Sequence, residues 1–369
     1  MESGRLRFFL VFAAIGVFLS EACSFNIPYA LALPTTYPVY GLIFLFTIDA
    51  LVRSGERRFF AWYIGGLFVG LITETYVAKV VFYGLSPDEP RVWGLAPLQI
   101  LFVVMGFHPF FSFMLPAYIA RRLLGFPLPI SISRFRDLLA LAAAPIYTLT
   151  AFGVASRRPW SPAAGFLLFA VSAAILVVWV IWLRRRGYIK DIRLTSEERR
   201  WVWWRVTIPI YLFFFFAATN DDHGGKHLPP FLPCVAVTIV IALLLVAWWY
   251  VVTGRVPGIF RREGEATGYI SKGNELFPPE EVASDEVGFD PVSVSFWPFL
   301  AYIAWILAIH AFGMLFWYSS GRPLFPAAVF CLALMLIGMG LISTPLSLYH
   351  LAKCLLEKHR NQSYLILRR

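Results

Sequence analysis

About ten apolar runs, each about 15–25 residues long, divide this chain of 369 residues. A run of that length can cross the roughly 30 Å hydrocarbon layer of a bilayer as an α-helix rising about 1.5 Å per residue. A content of 59% hydrophobic and 15% charged residues is too apolar for a soluble domain. The sequence therefore predicts an all-α, polytopic transmembrane helical bundle. Its spans are expected near residues 8–25, 38–52, 59–83, 95–120, 137–155, 162–183, 203–219, 231–252, 293–318 and 326–352.

Lysine and arginine are distributed unevenly between the two sides of this bundle. Of the 32 residues, 26 fall at the termini and in the even-numbered loops, and six fall on the other side. Because basic loops stay in the cytoplasm during insertion, both termini are predicted to be cytoplasmic, in a multi-pass protein of the cell membrane. The net charge of +10 then reflects insertion, so the expected partner is the lipid bilayer and not nucleic acid.

We predict one integral membrane domain over residues 1–369, with an acidic cytoplasmic loop over residues 253–292 between the eighth and ninth spans. This loop carries eight acidic and four basic residues. Pro278 and Pro279 favour an extended or partly disordered chain. The charge of the loop suits contact with a soluble partner or with the basic loops nearby.

Two segments beside the second span carry structural predictions. Residues 21–38 contain several prolines and no basic residue, which predicts a looped or re-entrant external stretch. Asp49 lies four residues before Arg53, near the inner end of the span. Because this spacing places both on one face of a helix, we predict a structural ion pair.

Three titratable side chains, Glu74, Lys79 and His108, lie within the third and fourth predicted spans. A charge at the centre of a membrane helix costs about 2.5–3.5 kcal/mol on insertion scales, so spans that keep such groups usually use them. Measured from the inner ends of their spans, Glu74 and His108 lie about 22 and 18 Å deep. Similar depth on consecutive antiparallel spans would let them meet. The structural alternative is a histidine bonded to a backbone carbonyl beside Pro109.

Lys79 follows Glu74 by five residues, a spacing that turns the two side chains away from each other on an ideal helix. The ammonium group therefore either has another partner or extends to the membrane surface.

These residues carry a resemblance to a known group of proteins. The stretch ETYVAK, the aromatic residues Phe82 and Trp93, and the stretch HPFFSFMLP, which begins at His108, follow the pattern E-x4-K, W, HxxxSxxxP. This pattern resembles an uncharacterised family of prokaryotic polytopic membrane proteins. It covers about a fifth of the chain and implies no established activity.

The same motifs are similar, more loosely, to glutamate intramembrane proteases of the CPBP or CAAX-processing type, which use EExxxR and FxxxH. That similarity implies that Glu74 activates a water molecule and that His108 assists it. The sequence differs from their pattern at three positions, with Thr75 in place of the second glutamate, Lys79 in place of arginine, and Val104 in place of phenylalanine.

A second polar cluster follows the seventh span and contains Asp221, Asp222, His223 and His227. Carboxylates with imidazoles four residues apart are candidate ligands of a divalent metal. The alternatives are a solvated helix cap and an external gate or substrate mouth. No nucleotide-binding or zinc-protease motif is present, and the sequence indicates no particular cofactor.

Three functions remain open at this point. The first is an intramembrane, hydrolase-like enzyme acting on a lipid-soluble or membrane-embedded substrate. In it Glu74 is the general base or water activator, His108 is the acid or a second ligand, and Lys79 is the third catalytic residue. The second is a proton- or solute-coupled transporter in which Glu74 and Lys79 carry a proton or bind a solute. The third is a structural or assembly protein whose polar residues fix helix packing.

Overall fold

The computed structural model describes most of the chain. The described residues are 3–23, 33–84, 88–130, 142–143, 145, 162–217, 228–254, 270–272, 275–277, 288–320 and 326–367. Several predictions fall on residues outside these ranges, namely most of the span 137–155, most of the acidic loop 253–292, and the candidate metal ligands Asp221, Asp222, His223 and His227.

Helices make up nearly all of the described chain, and several of them contain π-helical turns. The α-helices are α1 (Ser3–Val17), α2 (Leu33–Arg53), α3 (Phe59–Ile72), α4 (Val80–Tyr83), α5 (Pro97–Gln99), α6 (Leu115–Leu124), α7 (Pro162–Arg184), α8 (Ser196–Val202), α9 (Ile208–Ala217), α10 (Phe231–Thr253), α11 (Trp297–Ser320) and α12 (Pro326–Leu367). The π-helical segments are π1 (Phe18–Ala22), π2 (Thr73–Val77), π3 (Ile100–Met114) and π4 (Trp203–Thr207).

Six helices of the described chain are long and apolar enough to cross a membrane. They span Phe59–Val77, Pro97–Leu124, Ala163–Arg184, Phe231–Thr253, Trp297–Phe316 and Phe330–Lys358. The predicted spans 8–25, 38–52 and 203–219 coincide with α1 and π1, with α2, and with π4 and α9. The helical fold is therefore as predicted, while the count of ten spans and the cytoplasmic position of both termini stay predictions.

Two predicted segments take a different form in the structure. α2 begins at Leu33, so residues 33–38 are helical where the prolines predicted a loop. Pro34 lies in the first turn, where the missing N–H has no intrahelical bond to lose. The predicted span 59–83 passes from α3 into π2, breaks at Lys79, which has a left-handed backbone (φ 59°), and resumes as α4.

The core of the bundle lies around α3. In its most apolar stretch 78% of the residues are buried, against 17% in α10, so α3 is central and α10 is peripheral. Small residues let α3 and π3 approach closely, because a Cβ added at Gly66 would lie 2.5 Å from the Pro109 Cα. One added at Gly70 would lie 3.0 Å from the His108 Cβ. This close approach places Glu74 and His108 on facing backbones.

Two described pieces of the acidic loop form a short antiparallel hairpin. Its strands are β1 (Ile270–Lys272) and β2 (Glu275–Phe277). Ile270 pairs with Phe277, and Lys272 pairs with Glu275. This pairing adds a small extended element to a fold that is otherwise helical in the described residues.

At the end of the bundle predicted to be cytoplasmic, a buried carboxylate joins α2 to the segment before α8. Asp49 accepts hydrogen bonds from Arg53 at 3.2 Å, Arg199 at 3.0 Å and the Leu194 backbone amide at 2.7 Å. The predicted Asp49 to Arg53 pair is thus present, within a larger cluster. Thr195 caps α8 through a reciprocal bond with Glu198, which fixes the segment that supplies Arg199.

Candidate functional site

Glu74 and His108 meet inside the bundle. Glu74 lies on π2 and His108 lies on π3, and the distance from Glu74 Oε1 to His108 Nε2 is 2.8 Å. His108 is 1% exposed and Glu74 is 6% exposed. A carboxylate and an imidazole at this distance, shielded from water, can exchange or share a proton.

The other ring nitrogen of His108 is also occupied. Its Nδ1 lies 3.0 Å from the hydroxyl oxygen of Ser112, one turn further along π3. Glu74, His108 and Ser112 therefore form one line of hydrogen bonds. When Glu74 is ionised it accepts a hydrogen bond from Nε2–H, which leaves the Nδ1 lone pair to accept a hydrogen bond from the Ser112 hydroxyl. Ser112 belongs to the HxxxSxxxP motif, so the sequence contained this signal although no role was predicted for it.

The local helix geometry positions these side chains. Both Glu74 and His108 lie in π-helical segments, whose hydrogen bonds join residues five apart and shift the faces of the helix relative to an α-helix. Pro109 lies inside π3 and has no N–H to contribute to that helix. Such segments are frequent at functional sites, because they turn a side chain inward at a cost in backbone bonding.

A second buried carboxylate, Glu21, bonds to a tyrosine beside the His108 ring. Glu21 lies on π1, is 8% exposed, and accepts a hydrogen bond from the Tyr40 hydroxyl. The centre of the Tyr40 ring lies 6.0 Å from that of the His108 ring. The sequence prediction placed Glu21 at the start of an external segment, whereas the structure buries it.

Lys79 occupies the break between π2 and α4. Its side chain is buried, and the ammonium nitrogen lies 5.8 Å from the centre of the Phe215 ring. A cation over an aromatic face is stabilised by the ring quadrupole. The left-handed backbone at this position turns the chain after the helix ends. The catalytic role predicted for Lys79 stays a prediction.

The described residues contain no group of three or more His, Cys, Asp and Glu side chains that could hold a metal ion. The carboxylates and imidazoles that were considered as metal ligands, at positions 221, 222, 223 and 227, lie outside the described ranges.

The chain matches one protein family over most of its length. A family model described as an uncharacterized membrane protein family matches residues 10–356. The chain belongs to that family. Both motifs noted in the sequence, E-x4-K and HxxxSxxxP, lie inside the matched range. A search of curated proteins and a search of solved structures found no match to this chain.

The line of hydrogen bonds through His108 suits one kind of chemistry, which is proton transfer. His108 has a hydroxyl at one ring nitrogen and a carboxylate at the other, so it can take a proton from one side while being stabilised from the other. The groups lie in an apolar environment, where such hydrogen bonds are stronger than in water.

Proposed function

We propose that this protein is an intramembrane enzyme, a hydrolase whose substrate is lipid-soluble or embedded in the membrane. The observation that supports the proposal is the buried contact of 2.8 Å between Glu74 and His108. Hydrolysis needs a group that removes a proton from the attacking nucleophile and returns one to the leaving group. His108, held by Glu74, has the properties of that group.

The position of the pair defines the substrates that could use it. Glu74 and His108 lie on helices long and apolar enough to cross a membrane, in a multi-pass protein that we place in the cell membrane. A substrate dissolved in the bilayer can approach such a site without crossing water. A water-soluble substrate would have to leave its hydration shell to do so.

The proposal is tested with the full chain reconstituted in lipid nanodiscs. A panel of lipophilic fluorogenic esters and membrane-tethered peptides is offered as substrate. Glu74→Gln and His108→Gln are each expected to lower the rate by about 100-fold or more, the usual contribution of acid and base catalysis. Thermal unfolding of each variant shows whether it is folded.

The matched control is Tyr63→Phe, on the same helix as Glu74. It removes a buried hydroxyl that bonds to the Met105 carbonyl at 2.7 Å and to Thr344 at 2.6 Å. Its hydrolysis rate should stay close to that of the wild type. Folded Glu74 and His108 variants that hydrolyse the panel at the wild-type rate would contradict the proposal.

Proton transport is the second candidate, and the Glu21 to Tyr40 pair is the observation that favours it. Two buried carboxylates, with a phenol and an imidazole between them, resemble a proton relay, and the break at Lys79 resembles the discontinuous helices of transporters. Proteoliposomes loaded with a pH-sensitive dye separate the two functions. Proton flux that Glu21→Gln abolishes, without any hydrolysis, would favour transport.

A further inference from the structure

The hydrogen bond of Ser112 differs from those of other helical hydroxyls in this protein. Among the described residues, six other serine and threonine side chains in or next to helices donate to the carbonyl four residues earlier, which is the usual arrangement. They are Ser20, Thr47, Ser54, Ser172, Thr238 and Thr253. The bond that the structure gives Ser112 goes to His108 Nδ1 instead.

This bond places a nucleophile, a base and an orienting acid in one line. Ser112 Oγ lies 3.0 Å from His108 Nδ1, and His108 Nε2 lies 2.8 Å from Glu74 Oε1. A hydroxyl within reach of an imidazole that is itself held by a carboxylate is the geometry of an activated serine. The ring is used in the opposite sense to the serine protease arrangement, with the hydroxyl on Nδ1 and the carboxylate on Nε2.

We infer that Ser112 is the nucleophile of this site and that its substrate is an ester or thioester of a membrane-soluble acyl group. This inference rests on the proposed function and names the atom that attacks. Glu74 is then a positioning residue, which holds His108 in the tautomer that accepts the serine proton.

The reaction balances with water as the only co-reactant. Ser112 Oγ bonds to the acyl carbon while its proton passes to His108 Nδ1. The bond to the alcohol or thiol breaks, and the leaving group departs with that proton. Water then attacks the acyl-serine, gives a proton to His108, and releases the carboxylic acid while Ser112 recovers its proton.

We place the entry of the acyl group on the Glu74 side of the three residues. Ser112 is fully buried and His108 is nearly so, while Glu74 is the most exposed of the three. Thr75, next to Glu74, is fully buried, but Tyr76 and Val77 at the end of π2 are half-buried. Tyr76 packs against Phe215 of α9 with ring centres 6.0 Å apart. Parting this contact would admit a lipid-soluble molecule to the site.

The test uses a long-chain alkyl fluorophosphonate on the full chain in nanodiscs, followed by mass spectrometry of the intact protein and its peptides. The expected result is one adduct on Ser112, with loss of hydrolysis. His108→Gln should slow labelling by about 100-fold. Ser172→Ala, which removes a buried helical serine outside the site, should be labelled as the wild type is.

Variants of Ser112 complete the design. Ser112→Ala should lose both the label and the hydrolytic activity. Ser112→Cys keeps the size of the side chain, and should move labelling at this position from the fluorophosphonate to a lipophilic iodoacetamide. It provides a second readout if the alanine variant does not fold.

Failure of this inference and failure of the proposed function give different results. If Ser112→Ala hydrolyses the panel like the wild type while the Glu74 and His108 variants are inactive, water is the nucleophile and the inference is wrong. If folded wild-type protein takes no label and hydrolyses no member of the panel, both proposals are wrong.

Discussion

Two of the buried carboxylates in the described part of the chain, Asp49 and Glu74, differ in how completely their charge is satisfied. Asp49 has no exposed side-chain surface and is held by Arg53, Arg199 and a backbone amide. Glu74 is almost as deeply buried, and the hydrogen bond that the structure gives it comes from a single titratable group, His108. A guanidinium group is a permanent cation at physiological pH in general, whereas an imidazole is a group that can exchange its proton.

This difference separates a structural carboxylate from a chemical one. The donors around Asp49 come from two helices and a connecting segment, so the ionised carboxylate fastens these parts together. Around Glu74 the partner is an imidazole, and the geometry places a hydroxyl at its other ring nitrogen. Burial of a carboxylate therefore does not by itself identify a functional site. The chemical type of its hydrogen-bond donors is the more informative property.

The largest effect on stability is expected at Asp49. Asp49→Ala would leave Arg53 and Arg199 without their shared carboxylate, and breaking a buried ion pair on one side costs about 3–5 kcal/mol. Thermal unfolding in detergent micelles measures the loss. Glu197→Gln, at an exposed acid in the same region, serves as control and should unfold like the wild type. If Asp49→Ala unfolds at the same temperature as the wild type, the Asp49 cluster does not stabilise the fold.

Gly66 tests the helix contact that supports Glu74 and His108. Gly66→Ala would place a methyl group 2.5 Å from the Pro109 Cα, so the helices must shift, with an expected loss of about 1–3 kcal/mol. Hydrolysis should fall as well, because the Glu74 to His108 distance would change. Gly338→Ala is the matched control, since its added Cβ meets nothing within 4 Å. If Gly66→Ala and Gly338→Ala have the same stability and the same hydrolysis rate, close packing at Gly66 does not position Glu74 and His108.

The cap of α8 offers a smaller test of the Asp49 region. Thr195→Ala removes the side-chain oxygen that accepts from the Glu198 amide at 3.1 Å, which is expected to cost about 1 kcal/mol of unfolding free energy. Thr195→Ser keeps this oxygen and should restore the unfolding temperature. Because α8 lies far along the chain from Glu74 and His108, the hydrolysis rate of folded protein should not change, and a matching loss of rate would contradict the separation of the two regions.

The smallest stability effect is expected at Glu74 itself. Glu74→Gln keeps the size of the side chain and can still donate to His108, so the unfolding free energy should change by about 1 kcal/mol or less, near the net value of one hydrogen bond. The activity should nevertheless be lost. A variant that is both inactive and strongly destabilised would make Glu74 resemble Asp49, and the comparison would fail.

The sequence predicts the helical spans and the neighbourhood of Glu74 and His108 because hydropathy and depth are local properties. Both residues lie on consecutive spans, so counting residues from the membrane surface gives their heights without knowledge of the packing. The Asp49 to Arg53 pair follows in the same way from a spacing of four.

The rest of the site depends on information that such counting does not contain. Tyr40 of α2 lies beside the His108 ring and bonds to Glu21 of π1, and nothing in a single sequence tells which non-consecutive helices are neighbours. The π-helical turns change which face of a helix a residue occupies without changing its hydropathy. The left-handed residue at Lys79, which breaks the third span, has no signal of its own, since lysine rarely adopts that conformation.

The π-helical segment that carries Glu74 makes the site sensitive to the deletion of a single codon. A π turn accommodates more residues than an α turn does, so deleting one codon within Thr73–Val77 could restore a regular α-helix. A deletion that precedes Glu74, such as that of Thr73, would turn Glu74 by about 100° about the helix axis and away from His108, while the apolar run would remain long enough to insert. Descendants of this gene could thus lose the chemistry in a single deletion and still be made as normal membrane proteins. Active and inactive copies would be distinguished by the length of this one turn, and not by their composition.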